Sequence, residues 1–117
     1  MAAESIFYVF LFVSDLGRSK HFYGETLGWT LGTDTPEVGG FAFGSGYLVI
    51  RQDDRLPAER VYGGGQHVAV RVKDVDAEHT RLNSAGLDPS EISDQHWGER
   101  NFSFLDPDGY LWVVGQP

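Results

Sequence analysis

The chain has 117 residues and no cysteine, which excludes disulfide bonds, thiolate metal sites and a cysteine nucleophile. Its net charge of −8 argues against binding to nucleic acids or anionic membranes, and no apolar run approaches the roughly 18 residues of a membrane span. Length and a hydrophobic fraction of 41% fit a single domain over residues 1–117. We expect it to be cytoplasmic, because no basic residue precedes the short apolar run at 6–13.

The first half of the chain has the pattern of a β-α-β-β-β module over about residues 5–52. Alternating apolar residues predict the first strand, and Asp15 or Ser14 is suited to cap the following helix, which ends at Gly28. Ser45-Gly46 predicts a tight hairpin between the last two strands. The predicted elements are, in order, a strand over 6–13, a helix ending at 28, a short strand over 29–32, a turn over 33–40, and strands over 41–44 and 47–52.

A charged and then glycine-rich segment over residues 53–65 predicts a linker. The second module, over about 66–116, repeats the element order of the first. Asp74 predicts a helix cap, and Pro107 suits a type I turn before the last strand. The predicted elements of this module are a strand over 66–72, a helix over 75–85, a short strand over 91–93, and strands over 100–105 and 110–115.

The two modules correspond residue by residue at their first strands and helix caps. The corresponding pairs are Val9 with Val68, Leu11 with Val70, Val13 with Val72, and Asp15 with Asp74. At the other end of the modules, residues 46–50 are similar to residues 109–113. We interpret the chain as one unit that occurs twice.

This duplicated pattern, with VSDLGRSKHFYGETLGW in the first module and HVAVRVKD and DPDGYLW in the second, resembles the vicinal oxygen chelate superfamily. That superfamily includes glyoxalase I, extradiol dioxygenases and the bleomycin-resistance proteins, and the resemblance covers essentially the whole chain. It implies an α+β fold in which two modules form a curved eight-stranded mixed sheet around a cavity, with helices on the outer face. It also implies a homodimer.

The metal enzymes of that superfamily place one ligand on the first strand and one on the last strand of each module. Carried over to this chain, the ligand positions are Tyr8, Ile50, His67 and Val113. Only His67 is a good ligand, because isoleucine and valine have no donor atom and a phenol with a pKa of about 10 resists deprotonation. The resemblance therefore implies a member with no metal and no cofactor.

Strand periodicity extends these positions to a candidate ligand-binding face. If the four positions face the cavity, their neighbours two residues away face it as well. The opposite face is expected to pack against the helices. With the addition of a loop tryptophan that borders the cavity in the resistance-type relatives, the candidate ligand-binding residues are Tyr8, Phe10, Phe12, Leu48, Ile50, His67, Arg71, Trp97, Leu111 and Val113.

Several of these residues have more than one interpretation. His67 is a candidate general base, a remaining metal ligand or a hydrogen-bonding cavity residue. Trp97 either stacks on a ligand or anchors its loop. Arg71 and Arg100 either neutralise a ligand anion or pair with carboxylates of the chain itself.

Three functional interpretations follow. The first is a protein that binds a small aromatic or apolar molecule, more readily cationic than anionic, and sequesters it without metal chemistry. The second is a metal-dependent lyase, isomerase or dioxygenase with non-standard ligands, or a metal-free enzyme that uses His67. The third is a structural relative that binds no ligand, because Phe10 and Phe12 fill the space over the candidate ligand-binding face. A ligand-sized cavity would contradict this third interpretation.

Overall fold

The computed structural model describes all 117 residues, and the chain divides into two compact units, residues 1–61 and 62–117. Each unit contains one four-stranded mixed sheet with its helix, so the expected α+β fold of two β-α-β-β-β modules is confirmed. The expected strands are all present, and they form two separate hydrogen-bonded sheets.

Unit 1, residues 1–61, has the strand order β1-β4-β3-β2, with β1 parallel to β4 and the other pairs antiparallel. Its helix α1 continues directly into a π-helix, and a short 3-10 helix follows the sheet. The elements are β1 (Val9–Val13), α1 (Leu16–His21), the π-helix (Phe22–Thr26), β2 (Thr30–Asp34), β3 (Val38–Phe43), β4 (Gly46–Gln52) and the 3-10 helix (Pro57–Glu59).

Unit 2, residues 62–117, has the corresponding strand order β5-β8-β7-β6, with β5 parallel to β8. The β6–β7 and β7–β8 pairs are antiparallel. The elements are β5 (Val68–Arg71), α2 (Val75–Ser84), β6 (Ser93–Asp94), β7 (Arg100–Leu105) and β8 (Leu111–Gln116). None of the helices in the chain has the length and apolar character needed to cross a membrane.

Both helices begin with the same two capping contacts. The Asp15 carboxylate accepts from the Arg18 backbone N–H at 3.1 Å, and the Asp74 carboxylate accepts from Ala77 at 3.0 Å, as expected of N-caps. The side-chain oxygen of a glutamine at the end of the last strand accepts from the first helical N–H. These contacts are Leu16 N to Gln52 Oε1 at 2.9 Å and Val75 N to Gln116 Oε1 at 2.5 Å.

Each helix covers one face of its sheet and forms an apolar core there. In unit 1 the core includes α1 and its π-helical extension, with Tyr23 fully buried against the rings of Phe41 and Trp29. In unit 2, Val75 and Leu82 of α2 are buried, as is Trp112 of β8. The opposite face of each sheet carries no helix and is called its open face below.

The first strand of each module is shorter than predicted. β1 begins at Val9 and β5 at Val68, because no neighbouring strand pairs with the backbone before these residues. Ile6 and Phe7 are therefore exposed, and His67 lies just outside β5. The β3–β4 turn is Gly44-Ser45, one residue earlier than predicted, with Gly44 in the left-handed region at φ 52°.

The predicted orientation of Leu48 and Ile50 toward the ligand is wrong. Both side chains are fully buried, and Ile50 pairs with Leu11 in the parallel ladder, which places it on the helix-covered face. The register shows the reason: β1 pairs with β4 as β5 pairs with β8, so Leu48 corresponds to Trp112 and not to Leu111. A displacement of one residue along a strand moves every side chain to the other face.

Candidate functional site

The open face of unit 1 is aromatic. Phe10 and Phe12 alternate with the buried Leu11 and Val13, and their rings meet edge to face with centroids 5.1 Å apart. Phe10 is 41% exposed, so its ring is available to a ligand.

An arginine occupies one side of the Phe12 ring. The Arg55 guanidinium carbon lies 4.2 Å from the ring centroid, a cation–π distance. The same guanidinium donates to both carboxylate oxygens of buried Asp53 at 2.9 Å. This bidentate pair fixes Arg55 over Phe12, so Phe12 is a structural part of the face and Phe10 is its accessible aromatic group.

The open face of unit 2 contains a cavity of about 360 Å³. This volume lies within the range of small-molecule sites. The cavity extends from the β5 and β8 backbones to the loop between β6 and β7. Its lining residues are Ala69, Val70, Arg71, Trp97, Gly98, Glu99, Gly115, Gln116 and Pro117.

Small residues in unit 2 create the space for this cavity. By the strand register, Ala69 stands where Phe10 stands in unit 1, and Gly115 stands where Arg51 stands. The two positions that carry bulky side chains in unit 1 therefore carry a methyl group and a hydrogen in unit 2.

Trp97 forms one wall of the cavity from the tip of the β6–β7 hairpin. Gln95 donates its backbone N–H to the Glu99 carbonyl oxygen at 2.7 Å and accepts from Gly98 N at 3.0 Å, which closes a three-residue loop. Gly98 has φ 92°, as such a loop requires at its last position. The indole is 61% exposed and donates from Nε1 to the Glu99 carboxylate at 3.1 Å.

The Glu99 carboxylate lies against the strand β8 at Gly115. A Cβ atom on Gly115 would stand 2.6 Å from Glu99 Oε1, so only glycine leaves room for the carboxylate in this place. The oxygen Oε1 accepts from Asn101 Nδ2 at 2.8 Å, and Oε2 accepts from Trp97. These hydrogen bonds, from Asn101 first and then Trp97, hold the pKa of the Glu99 carboxyl below its usual value.

The two arginines of the second module have different surroundings. Arg100 pairs with Asp76 at 2.8 Å and with Asp94 at 3.1 Å. The Arg100 hydrogen bond lowers the pKa of Asp76, and the two aspartates raise the pKa of Arg100. Arg71 lines the cavity, is exposed and makes no ion pair. Of the two expected alternatives, pairing with carboxylates of the chain holds for Arg100 and does not hold for Arg71.

The remaining candidate residues lie in different places in the structure. Leu111 and Val113 are half-buried on the open face of unit 2, where Val113 pairs with Ala69. Tyr8 and His67 are both exposed and stand just before β1 and β5. Arg71 and Trp97 are the two candidates brought together in one cavity.

The residues present do not fit the divalent metal site that the metal enzymes of the superfamily have at these positions. By the strand register, the position of unit 1 that corresponds to Val113 is Val49 and not Ile50. Neither valine has a donor atom, which leaves Tyr8 and His67 as the only donors of the four positions. Nowhere in the chain do three or more histidine, aspartate or glutamate side chains form a group that could hold a metal ion.

Three contributors to the two open faces were not predicted from the sequence. These are Glu99, Gly115 and Arg55. The triplet Trp97-Gly98-Glu99 is a usable signal for the first, since a carboxylate two residues after a tryptophan in a tight loop is within reach of its N–H.

Residues 5–114 match the family model described as the Glyoxalase/Bleomycin resistance protein/Dioxygenase superfamily. The solved structure of TnmS3, an antibiotic binding protein from Streptomyces sp. CB03234, is 30% identical, with a TM-score of 0.80 over 100% of this chain and 98% of that chain. TioX from Micromonospora sp. ML1 is 26% identical, with a TM-score of 0.79 over 97% of this chain and 98% of that chain.

Two further matches are weaker, one in sequence identity and the other in coverage. A lactoylglutathione lyase from Agrobacterium tumefaciens has a TM-score of 0.79 over 98% of this chain and 95% of that chain, at 21% identity, and shares the fold. An uncharacterised protein from Mycobacterium bovis is 40% identical over 57 residues, which are 46% of this chain and 38% of that protein. The match therefore spans less than half the length of that curated relative.

Proposed function

We propose that this chain, which belongs to the Glyoxalase/Bleomycin resistance protein/Dioxygenase superfamily, binds a small planar organic molecule in the cavity beside Trp97 and sequesters it without chemistry. The observation that carries the proposal is the exposed indole of Trp97, held by Glu99 as a wall of a ligand-sized cavity. A fixed aromatic plane beside open space favours stacking on a flat ring.

The likeness to TnmS3 supports the class of ligand. That protein is described as antibiotic binding, and it is similar to this chain over the full length. We carry this over as part of the proposal: the ligand is an aromatic compound of the antibiotic type. The cavity also argues against a merely structural relative with no room for a ligand.

The alternative, a metal-dependent lyase, isomerase or dioxygenase, has less support from the residues. Val49 and Val113 stand where such an enzyme needs donor atoms, and His67 is exposed beside β5. We include in the proposal a homodimer in the cytoplasm. Association would cover the unpaired edges of β1 and β5 and the exposed apolar residues 6–8.

The proposal is tested with two variants and a panel of aromatic compounds. Trp97→Ala removes the stacking wall, and Ala69→Phe places in the cavity the side chain that unit 1 has at the corresponding position. The loss of the Trp97 ring is expected to weaken binding by about 3- to 30-fold. Ala69→Phe is expected to abolish binding at the cavity.

Binding is measured by isothermal titration calorimetry, and native mass spectrometry of freshly purified protein reports retained ligand and subunit number together. Leu56→Ala is the matched control, because Leu56 is an exposed apolar residue of the linker and lines neither open face. Unchanged affinity in both Trp97→Ala and Ala69→Phe would contradict the proposed site.

A further inference from the structure

We infer that the Trp97 cavity selects a ligand with a flat aromatic ring that also carries a positive charge or N–H donor and a negative charge or acceptor. Glu99 and Arg71 are the two residues that determine this specificity. The inference rests on the proposed function, because it names the ligand class for the same cavity.

Glu99 retains capacity to accept hydrogen bonds from a ligand. Its oxygen Oε1 accepts one bond, from Asn101, and Oε2 accepts one bond, from Trp97. A carboxylate offers about four acceptor positions, so each oxygen has one left. The two donors also hold the carboxylate in place and keep it ionised, so it meets a ligand cation without reorganising.

Arg71 provides the opposite charge on the same surface. It pairs in register with Gly115, the residue against which the Glu99 carboxylate lies. Even so, no Arg71 nitrogen comes within the 4.0 Å ion-pair distance of any carboxylate oxygen. The guanidinium of this cavity-lining residue therefore keeps its donors available to a ligand or to solvent.

The neighbouring Arg100, in contrast to Arg71, has its charge neutralised by carboxylates of the same unit. Its nitrogens donate to both oxygens of Asp76 and to Asp94. Because Arg100 is engaged and Arg71 is not, the positive charge available to a ligand is that of Arg71. A cavity with a flat aromatic wall and two unpaired charges of opposite sign matches an aromatic zwitterion or an amphoteric ring system.

The inference is tested with four naphthalene derivatives that share one ring system. These probes are 1-naphthylmethylamine, 1-naphthylacetate, 1-naphthylalanine and 1-naphthylmethanol. The readout is the indole N–H signal of Trp97 in nitrogen–proton correlation spectra, assigned by its loss in Trp97→Phe. The protein has three tryptophans, so the signal is resolved from few others.

We expect 1-naphthylalanine to bind most tightly and the neutral alcohol least tightly. Glu99→Gln keeps an acceptor for Trp97 and is expected to weaken the amine and the amino acid about tenfold, while the acid is unaffected. Arg71→Met keeps the aliphatic stem and is expected to weaken the acid and the amino acid, while the amine is unaffected. The matched controls are Glu91→Gln and Arg81→Met, which make the same charge changes outside the cavity.

A second variant displaces the carboxylate without removing it. Gly115→Ala puts a Cβ 2.6 Å from Glu99 Oε1, too close for both to remain, and the end of a flexible side chain can move away at little cost to the fold. Selectivity for the amine over the acid is expected to fall in this variant as it does in Glu99→Gln.

Two outcomes overturn the inference in different ways. If Glu99→Gln weakens all four probes equally, Glu99 only supports Trp97, and the inference fails while the proposed binding function stands. If no probe moves the Trp97 signal at millimolar concentration, both the inference and the proposed function fail.

Discussion

The two glutamines that complete the helix starts allow a quantitative test of the structure. Gln52 Oε1 accepts from Leu16 N at 2.9 Å, while its Nε2 donates to the carbonyl oxygens of Ser14 at 2.9 Å and Asp53 at 3.3 Å. Gln116 makes the single corresponding bond, from Val75 N. Replacing either glutamine by methionine keeps the length and volume of the side chain and removes only its polar atoms.

The expected losses differ because the number of bonds differs. At about 1 kcal/mol for each part-buried hydrogen bond, Gln52→Met should lower the free energy of unfolding by about 2–3 kcal/mol, and Gln116→Met by about 1 kcal/mol. The helix N–H left without an acceptor contributes to each loss. The control is Gln66→Met, an exposed glutamine outside both sheets.

The assay is urea denaturation followed by far-ultraviolet circular dichroism. With a slope of about 1–3 kcal/mol per molar urea, the midpoint for Gln52→Met should fall by roughly 1 M, and that for Gln116→Met by less than half as much. Equal losses in the two variants, or none in Gln52→Met, would refute the view that these side chains complete the helix caps.

Two further predictions concern charged pairs. Asp76 has its pKa lowered from 3.8 by the Arg100 hydrogen bond, so its stabilising effect is present above that pH and is lost as the pH falls through the lower, folded value. The stability difference between wild type and Asp76→Asn, measured by urea denaturation, should therefore shrink as the medium is acidified below 3.8. Arg55→Met leaves the buried Asp53 carboxylate without its guanidinium partner and should lower the free energy of unfolding by about 3–5 kcal/mol. Combining Arg55→Met with Asp53→Asn removes the buried charge and should recover part of that loss. A double variant no more stable than Arg55→Met would contradict this.

Much of the scaffold can be predicted from the sequence because local chemistry determines it. The predicted bounds 100–105 are those of β7, since the turn at 106–109 ends the strand on one side. In that turn the Asp106 carbonyl oxygen accepts from Gly109 N at 3.0 Å, and the Asp106 carboxylate accepts from Asp108 N and Tyr110 N. The Asp74 cap is likewise predicted correctly, and the cap of α1 is Asp15, one of the two residues predicted, because a cap depends only on residues one turn away.

The prediction of which β4 side chains lie on the open face is wrong because the sequence similarity of the two modules is misleading at this strand. Gly46 and Gly109 look equivalent, each opening a Tyr-Leu run, but Gly46 pairs with Phe43 inside the ladder, whereas Gly109 lies in the β7–β8 turn at φ 85°. The two hairpins have turns of different length, so aligning the glycines displaces β4 by one residue. Turn length determines the register of a hairpin, and that register cannot be predicted from the similarity of the strands alone.

The cavity cannot be predicted from the sequence, because it is formed by residues that are far apart in the chain. The Glu99 carboxylate has its place only because Gly115, on another strand, has no side chain. Nothing in the hairpin loop itself indicates that a glycine will lie beneath it. The same holds for Arg55, whose position over Phe12 follows from the buried Asp53 at the end of β4.

Comparison of the two modules separates the scaffold from the ligand chemistry. The aspartate cap, the glutamine contact and the parallel pairing of first and last strands occur in both units, and all of them build the sheet and its helix. The open faces differ at corresponding positions, with Phe10 and Phe12 in unit 1 but Ala69 and Arg71 in unit 2. Since the helix-covered face has to satisfy the same packing in both units, the chemistry of a ligand can act only through the open faces. Under the proposed function, the specificity of this chain is therefore to be sought in the difference between an aromatic surface and a charged cavity.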